Sequence, residues 1–181
     1  LPGHIHTASM TLAGAEKSIL LVSATKTFNL AGLRSSTMVI RDEALRERVK
    51  GVMKKMGADT PNIFGAVAQM AAYRLGAPWL DALTRYLDEN RRLAEAFFAA
   101  RAPRIRPARM EGTYLMWLNC REFQMDPKAL ERFFIDRAGV RLSSGTHFGE
   151  AGAGFMRMNL AAPKARVAEA LQRIGEAVKT L

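Results

Sequence analysis

Lys26 is the residue of this chain whose surroundings best suit covalent chemistry. It lies in Ser23-Ala-Thr-Lys26-Thr-Phe-Asn-Leu-Ala-Gly32-Leu-Arg34, directly after Ile19-Leu-Leu-Val22, an apolar run that reads as a short buried strand. A lysine delivered at the end of a buried strand loses hydration, and desolvation favours the neutral amine. A neutral lysine amine is a nucleophile and forms a Schiff base with a carbonyl. Ser23 and Arg34 are groups of the kind that hold a phosphate. A carbonyl and a phosphate on one small molecule describe pyridoxal 5'-phosphate (PLP).

Arg157 is the second candidate, in Gly154-Phe-Met-Arg157-Met-Asn-Leu-Ala-Ala-Pro163. A planar guanidinium makes two parallel hydrogen bonds to a carboxylate and fixes its orientation. Taken alone, an arginine on an amphipathic strand is a solvated face, and a lysine at a strand end merely reaches water. The combination changes that weighting.

The spacing S-x-x-K-x-x-x-x-x-G-x-R resembles the cofactor-lysine segment of the fold-type-I PLP enzymes, with Ser23, Asn29, Gly32 and Arg34 in register around Lys26. The wording T-K-T-F-N-L-A-G-L-R is similar to the cystathionine β-lyase (C–S lyase) branch, close to the class I and II aminotransferases. Glu111-Gly-Thr-Tyr-Leu-Met-Trp-Leu-Asn-Cys-Arg121 and the Arg157 stretch resemble the same branch. The resemblance implies an α/β fold, the C-terminal part of the PLP-dependent transferase fold. Residues 1–95 would be the remnant of the PLP-binding large domain, ending in a long interdomain helix, and 96–181 a small α+β domain. It implies Lys26 as the catalytic, cofactor-bearing lysine, Ser23 and Arg34 as phosphate ligands, and Arg157 as the grip on the substrate α-carboxylate. Lysis of a C–S bond, giving pyruvate, ammonia and a thiol, and amino-group transfer share these residues, and the sequence does not separate them. A homodimer acting on an amino acid, with a sulfur-containing one favoured, is implied as well.

The resemblance covers nearly all of this chain but only the C-terminal half or so of the family's length. The family's aspartate on the pyridine nitrogen, its stacking aromatic and its glycine-rich phosphate helix belong upstream of Leu1. The 181 residues alone are therefore expected to be inactive or nearly so and to bind PLP weakly. Two other readings stand beside the enzyme: a PLP-sensing domain of a transcription regulator, and a helix-rich interaction module with accidental motif matches.

Composition bounds these readings. The chain has 181 residues, 49% of them hydrophobic, enough for one or two small domains. No apolar run approaches the ~18 residues of a membrane span. The start, Leu1-Pro-Gly-His-Ile-His, is neither a methionine nor a signal peptide and reads as a chain cut in its middle. Cys120 alone offers no disulfide, which fits a reducing cytoplasm. The net charge of +10 suggests a nucleic-acid partner. The basic residues are spread along helix faces with no nucleic-acid motif, so a chain whose acidic complement lies elsewhere is the preferred account. His4 and His6 lie far in sequence from His147, and no acidic cluster joins them, so no metal site is expected.

The positioning elements follow from periodicity. Strands are expected over 18–24 and 36–40, with Gly32 permitting close backbone approach between them. Asp42 caps a helix bearing Leu45, Val49, Val52, Met53 and Met56, stopped by Gly57. Thr60-Pro61 is expected to open a second helix with Phe64, Val67, Met70 and Ala71 as its apolar face, ended by Gly76, and apolar surface covered by the upstream half is expected to be exposed. The longest periodic segment, 78–101, stops before Pro103 and would be about 35 Å long. Beyond it come a strand at Tyr114–Leu118 and a helix from Asp126-Pro127, with Leu130, Phe133 and Phe134 inward. Val140–Ser144 reads as a short strand or edge, Gly145–Gly154 as a glycine-rich loop with Gly149–Gly154 a flexible rim, and Phe155–Leu160 as a strand. Pro163 starts a final helix with the stripe Val167, Leu171, Ile174, Val178 and Leu181.

Overall fold

The computed structural model describes residues 15–181. His4 and His6 lie outside the described residues. Those described fall into two compact units, 15–83 and 84–181.

The first unit holds β1 (Leu20–Val22), β2 (Thr37–Val39), α1 (Glu43–Lys55), α2 (Ile63–Leu75) and the start of α3 (Ala77–Arg101). β1 and β2 pair antiparallel, Leu21 opposite Met38, as a two-stranded ribbon. The expected burial of this strand is not found: Leu21 is 66% exposed, and its register partner Met38 is open to solvent as well. Two strands alone cannot cover their own faces, and no further strand flanks them among the described residues.

α1 begins as its sequence indicates, with Asp42 accepting from Leu45 N at 2.6 Å. Its end is marked by Gly57 at φ +63. α2 is capped not by Thr60 but by Asn62, whose Oδ1 accepts from Phe64 N and Gly65 N, so Pro61 stays outside the helix. The apolar face of α2 is open, and its small-residue side packs. Phe64, Val67 and Met70 face out, while Gly65 is buried and Ala68, Gln69 and Ala72 are half-buried. A small-residue stripe lets the helix approach the chain beside it closely, and the bulky stripe cannot fit there.

The second unit has a four-stranded antiparallel sheet in the order β3 (Arg106–Pro107), β4 (Leu115–Asn119), β6 (Phe155–Asn159), β5 (Ser143–Ser144). β3 is too short to show in the sequence pattern. The alternation of β4 and β6 sends Met116, Leu118, Met156 and Met158 into the core and leaves Trp117, Phe155 and Arg157 on the other face. The core is completed by Ala94 and Phe98 of α3, by Leu130, Phe133 and Phe134, and by Val167, Leu171 and Ile174 of α5 (Lys164–Val178). α4 (Pro127–Arg132), capped by Asp126, continues into a wider turn over Phe133–Arg137 and closes at Gly139, φ +62. Gly145–Gly154 is not a loose rim. It folds into two tight turns, Gly145–Phe148 and Glu150–Gly152.

No helix among the described residues is long and apolar enough to cross a membrane. No group of three metal-ligating side chains is found among them either.

Candidate active site

The loop between β1 and β2 carries Lys26 and Arg34, and Ser23 ties its base. The Ser23 hydroxyl donates to Ser35 O at 2.7 Å, lies 2.8 Å from Thr25 Oγ1, and accepts from Thr25 N at 3.2 Å. Two residues twelve apart are thereby held together, so the intervening chain must turn back sharply. It does so through Asn29 at φ +56 and Arg34 at φ +47. Asn tolerates that region well; for arginine it costs free energy that the surrounding bonds must offset.

α2 buttresses the loop from one side. Asn62 Nδ2 donates to Leu33 O at 3.2 Å, and the Ser35 hydroxyl donates to Gln69 Oε1 at 3.3 Å. Gln69 Nε2 in turn donates to Thr37 Oγ1 at 2.6 Å. A Cβ on Gly65 would stand 2.9 Å from Ser35 Cβ, and one on Gly76 would run into the Phe28 ring. Phe28 also stacks on Trp79 at 5.6 Å and meets Tyr73 edge-on at 6.4 Å. The glycines are thus what let α2 lie against the loop.

Lys26 and Arg34 are both exposed, and neither side chain has a hydrogen-bond or ion-pair partner among the described residues. This corrects the expectation that a buried strand desolvates Lys26. The donor set still suits PLP: the Arg34 guanidinium, with no carboxylate neutralising it, for the phosphate, and the Lys26 primary amine for the carbonyl. The Ser23 proton is already given to Ser35 O and would have to turn to reach a phosphate.

Arg157 belongs to the second unit, on the outer face of β6, opposite Trp117 on β4 and Ser143 on β5. Its Nη2 donates to Ser143 Oγ at 3.5 Å, and its Cζ lies 4.4 Å from the centroid of the Phe148 ring. Its Nε is buried and has no partner. Phe148, 5.6 Å from Trp117 and edge-on to it, escaped the sequence reading. Its only signal there is a large aromatic among small and polar loop residues. Ser144 is buried with its hydroxyl 2.9 Å from that of Thr146, a bond internal to the turn.

The profile of aminotransferase class I and II matches residues 3–174. The chain belongs to this family. It is 34% identical over 180 residues to cystathionine beta-lyase PatB of Bacillus subtilis, covering 98% of this chain and 46% of that protein. It is 36% identical over 190 residues to a putative cystathionine beta-lyase of Mycobacterium leprae, covering 98% of the chain and 47% of that one. The crystal structure of cystalysin from Treponema denticola, which contains a pyridoxal 5'-phosphate cofactor, superposes with a TM-score of 0.93 at 34% identity. That superposition takes in 99% of this chain and 46% of cystalysin. This aminotransferase-family chain therefore spans about half the length of the relatives it matches. Its fold is the expected α/β one, the C-terminal part of the PLP-dependent transferase fold.

Proposed function

We propose that this chain is the C-terminal portion of a PLP-dependent enzyme that acts on amino acids. The reaction we assign is β-lysis of a C–S bond, as in cystathionine β-lyase, giving pyruvate, ammonia and a thiol, with amino-group transfer as the neighbouring outcome. The observation that carries the reading is the tied loop, with Lys26 and Arg34 unpaired, in a chain 34% identical to a cystathionine beta-lyase over nearly its whole length. On this reading residues 1–95 belong to the cofactor-binding domain and 96–181 to the smaller one. The protein is a cytoplasmic homodimer.

The roles follow from the side chains. Arg34 and Ser23 hold the cofactor phosphate, and the Lys26 amine holds its carbonyl carbon. PLP, when bound, supplies an electron sink for the pair left at the substrate Cα. The Lys26 amine would act as general base for the Cα proton. Arg157 binds the substrate α-carboxylate through its guanidinium. The chain by itself, on this account, binds PLP weakly and turns over little.

The full-length protein tests the proposal. It should be coloured, lose the colour in Lys26→Ala, and release pyruvate, ammonia and a thiol from cystathionine. A colourless protein, or one that keeps its colour in Lys26→Ala, contradicts it. The net charge of +10 favours a second reading, a PLP-sensing domain of a transcription regulator. A winged helix upstream, with no turnover of amino acids, would select that reading.

A further inference from the structure

Phe148 is 55% exposed, more than any other large apolar side chain among the described residues of its unit. A lone exposed aromatic needs no special cause. This one stands on a built support. The Gly145 and Gly152 backbones pack directly on each other, so that a Cβ on either would collide with the other's carbonyl. A Cβ on Gly145 would also come within 2.8 Å of Phe155 O. Gly149, next to Phe148, sits at φ +120, open only to glycine at low cost. The double turn is therefore fixed against β6, and it carries Phe148 to one definite place: beneath the Arg157 guanidinium, 4.4 Å from ring centroid to Cζ. Trp117, edge-on to Phe148 and stacked on Phe155 at 5.6 Å, abuts the ring on one side.

The consequence for Arg157 is a constrained long side chain. One face of the guanidinium is on the ring. Nε is turned into the protein, and Nη2 reaches Ser143. What remains for a ligand is the outer Nη edge. A free arginine side chain loses much rotamer entropy on binding, and a seated one has lost it beforehand.

We propose that Phe148 is a positioning residue that seats the Arg157 guanidinium on its ring, so that Arg157 meets the substrate α-carboxylate end-on through its Nη edge. This rests on the carboxylate role given to Arg157 above. The ring acts through its π face, so another aromatic replaces it and an aliphatic of similar bulk does not.

Calorimetry on the full-length protein tests this, in a Lys26→Ala background so that ligand is not consumed. The probes are S-methyl-L-cysteine and the amine that lacks its carboxylate. Phe148→Leu should weaken binding of the amino acid by about three- to thirtyfold, the range expected of a cation–π contact. It should leave the amine's affinity unchanged, and Phe148→Trp should restore the amino acid. Equal effects on both probes, or no effect on the amino acid, overturn the proposal. Arg157→Ala separates the two layers. If it removes the preference for the carboxylate while Phe148→Leu does not, only the role of Phe148 fails. If it leaves the preference intact, the assignment of Arg157 fails, and the seating role of Phe148 falls with it.

Discussion

The Asn90 side chain donates to Leu160 O at 2.9 Å, joining α3 to the end of β6 across seventy residues of chain. The same Nδ2 donates to Ala162 O at 3.1 Å, and Asn90 is fully buried. Nearby, Lys164 N donates to Tyr86 Oη at 2.6 Å, and Lys164 pairs with Glu89. The strand that bears Arg157 is thus fastened to the long helix at its exit. Asn90→Ala leaves two carbonyls without their donor and should cost about 2–4 kcal/mol in chemical denaturation. A loss under about 1 kcal/mol would mean that the link does not hold β6.

Gly152 faces Gly145 with no room for a methyl group on either. The colliding atoms are backbone, which cannot turn aside as a side chain would. Gly152→Ala should therefore destabilise the chain by about 3 kcal/mol or more. It should also change the near-ultraviolet circular dichroism of Trp117, whose partner Phe148 rides on the same turn. A neutral substitution would show that the turn is not fixed by this contact.

How far the sequence carried can be judged residue by residue. Asp42 and Asp126 announced their helices because an N-cap is a local bond, complete within three residues. The alternation of Leu115–Asn119 and Phe155–Asn159 was legible because one face of that sheet is buried. The packed side of α2 was not legible because periodicity points to bulky residues, whereas Gly65 and Gly76 allow close approach to Ser35 and Phe28. The burial of β1 was misread because an apolar run does not reveal how many strands will flank it. Lys26, Arg34 and Arg157 were singled out through residue types in register with a known family. Phe148 was not, because its role arises only when the Gly145–Gly152 contact folds the loop back.

Asp88 supplies a pH dependence. Arg91 hydrogen-bonds it, Nε at 2.9 Å and Nη2 at 2.8 Å, and Arg92 adds a contact at 2.9 Å. The Arg91 bond chiefly holds the Asp88 carboxyl below its ordinary value of 3.8, with the charges of Arg91 and Arg92 helping against desolvation. A depressed folded value means that the network's stabilisation is complete above the ordinary carboxylate range and is lost as pH falls through the folded value. Asp88→Asn should thus lower the thermal midpoint at about pH 7, with the gap to the parent narrowing toward about pH 2. A gap that does not vary with pH would contradict this account.

The central claim is that Lys26 is the cofactor lysine. Borohydride reduction of the PLP-loaded full-length protein, followed by mass mapping of its peptides, tests it most directly. The account predicts a pyridoxyl adduct on the peptide that contains Lys26, absent in Lys26→Ala. An adduct on another lysine, or none at all, would contradict it.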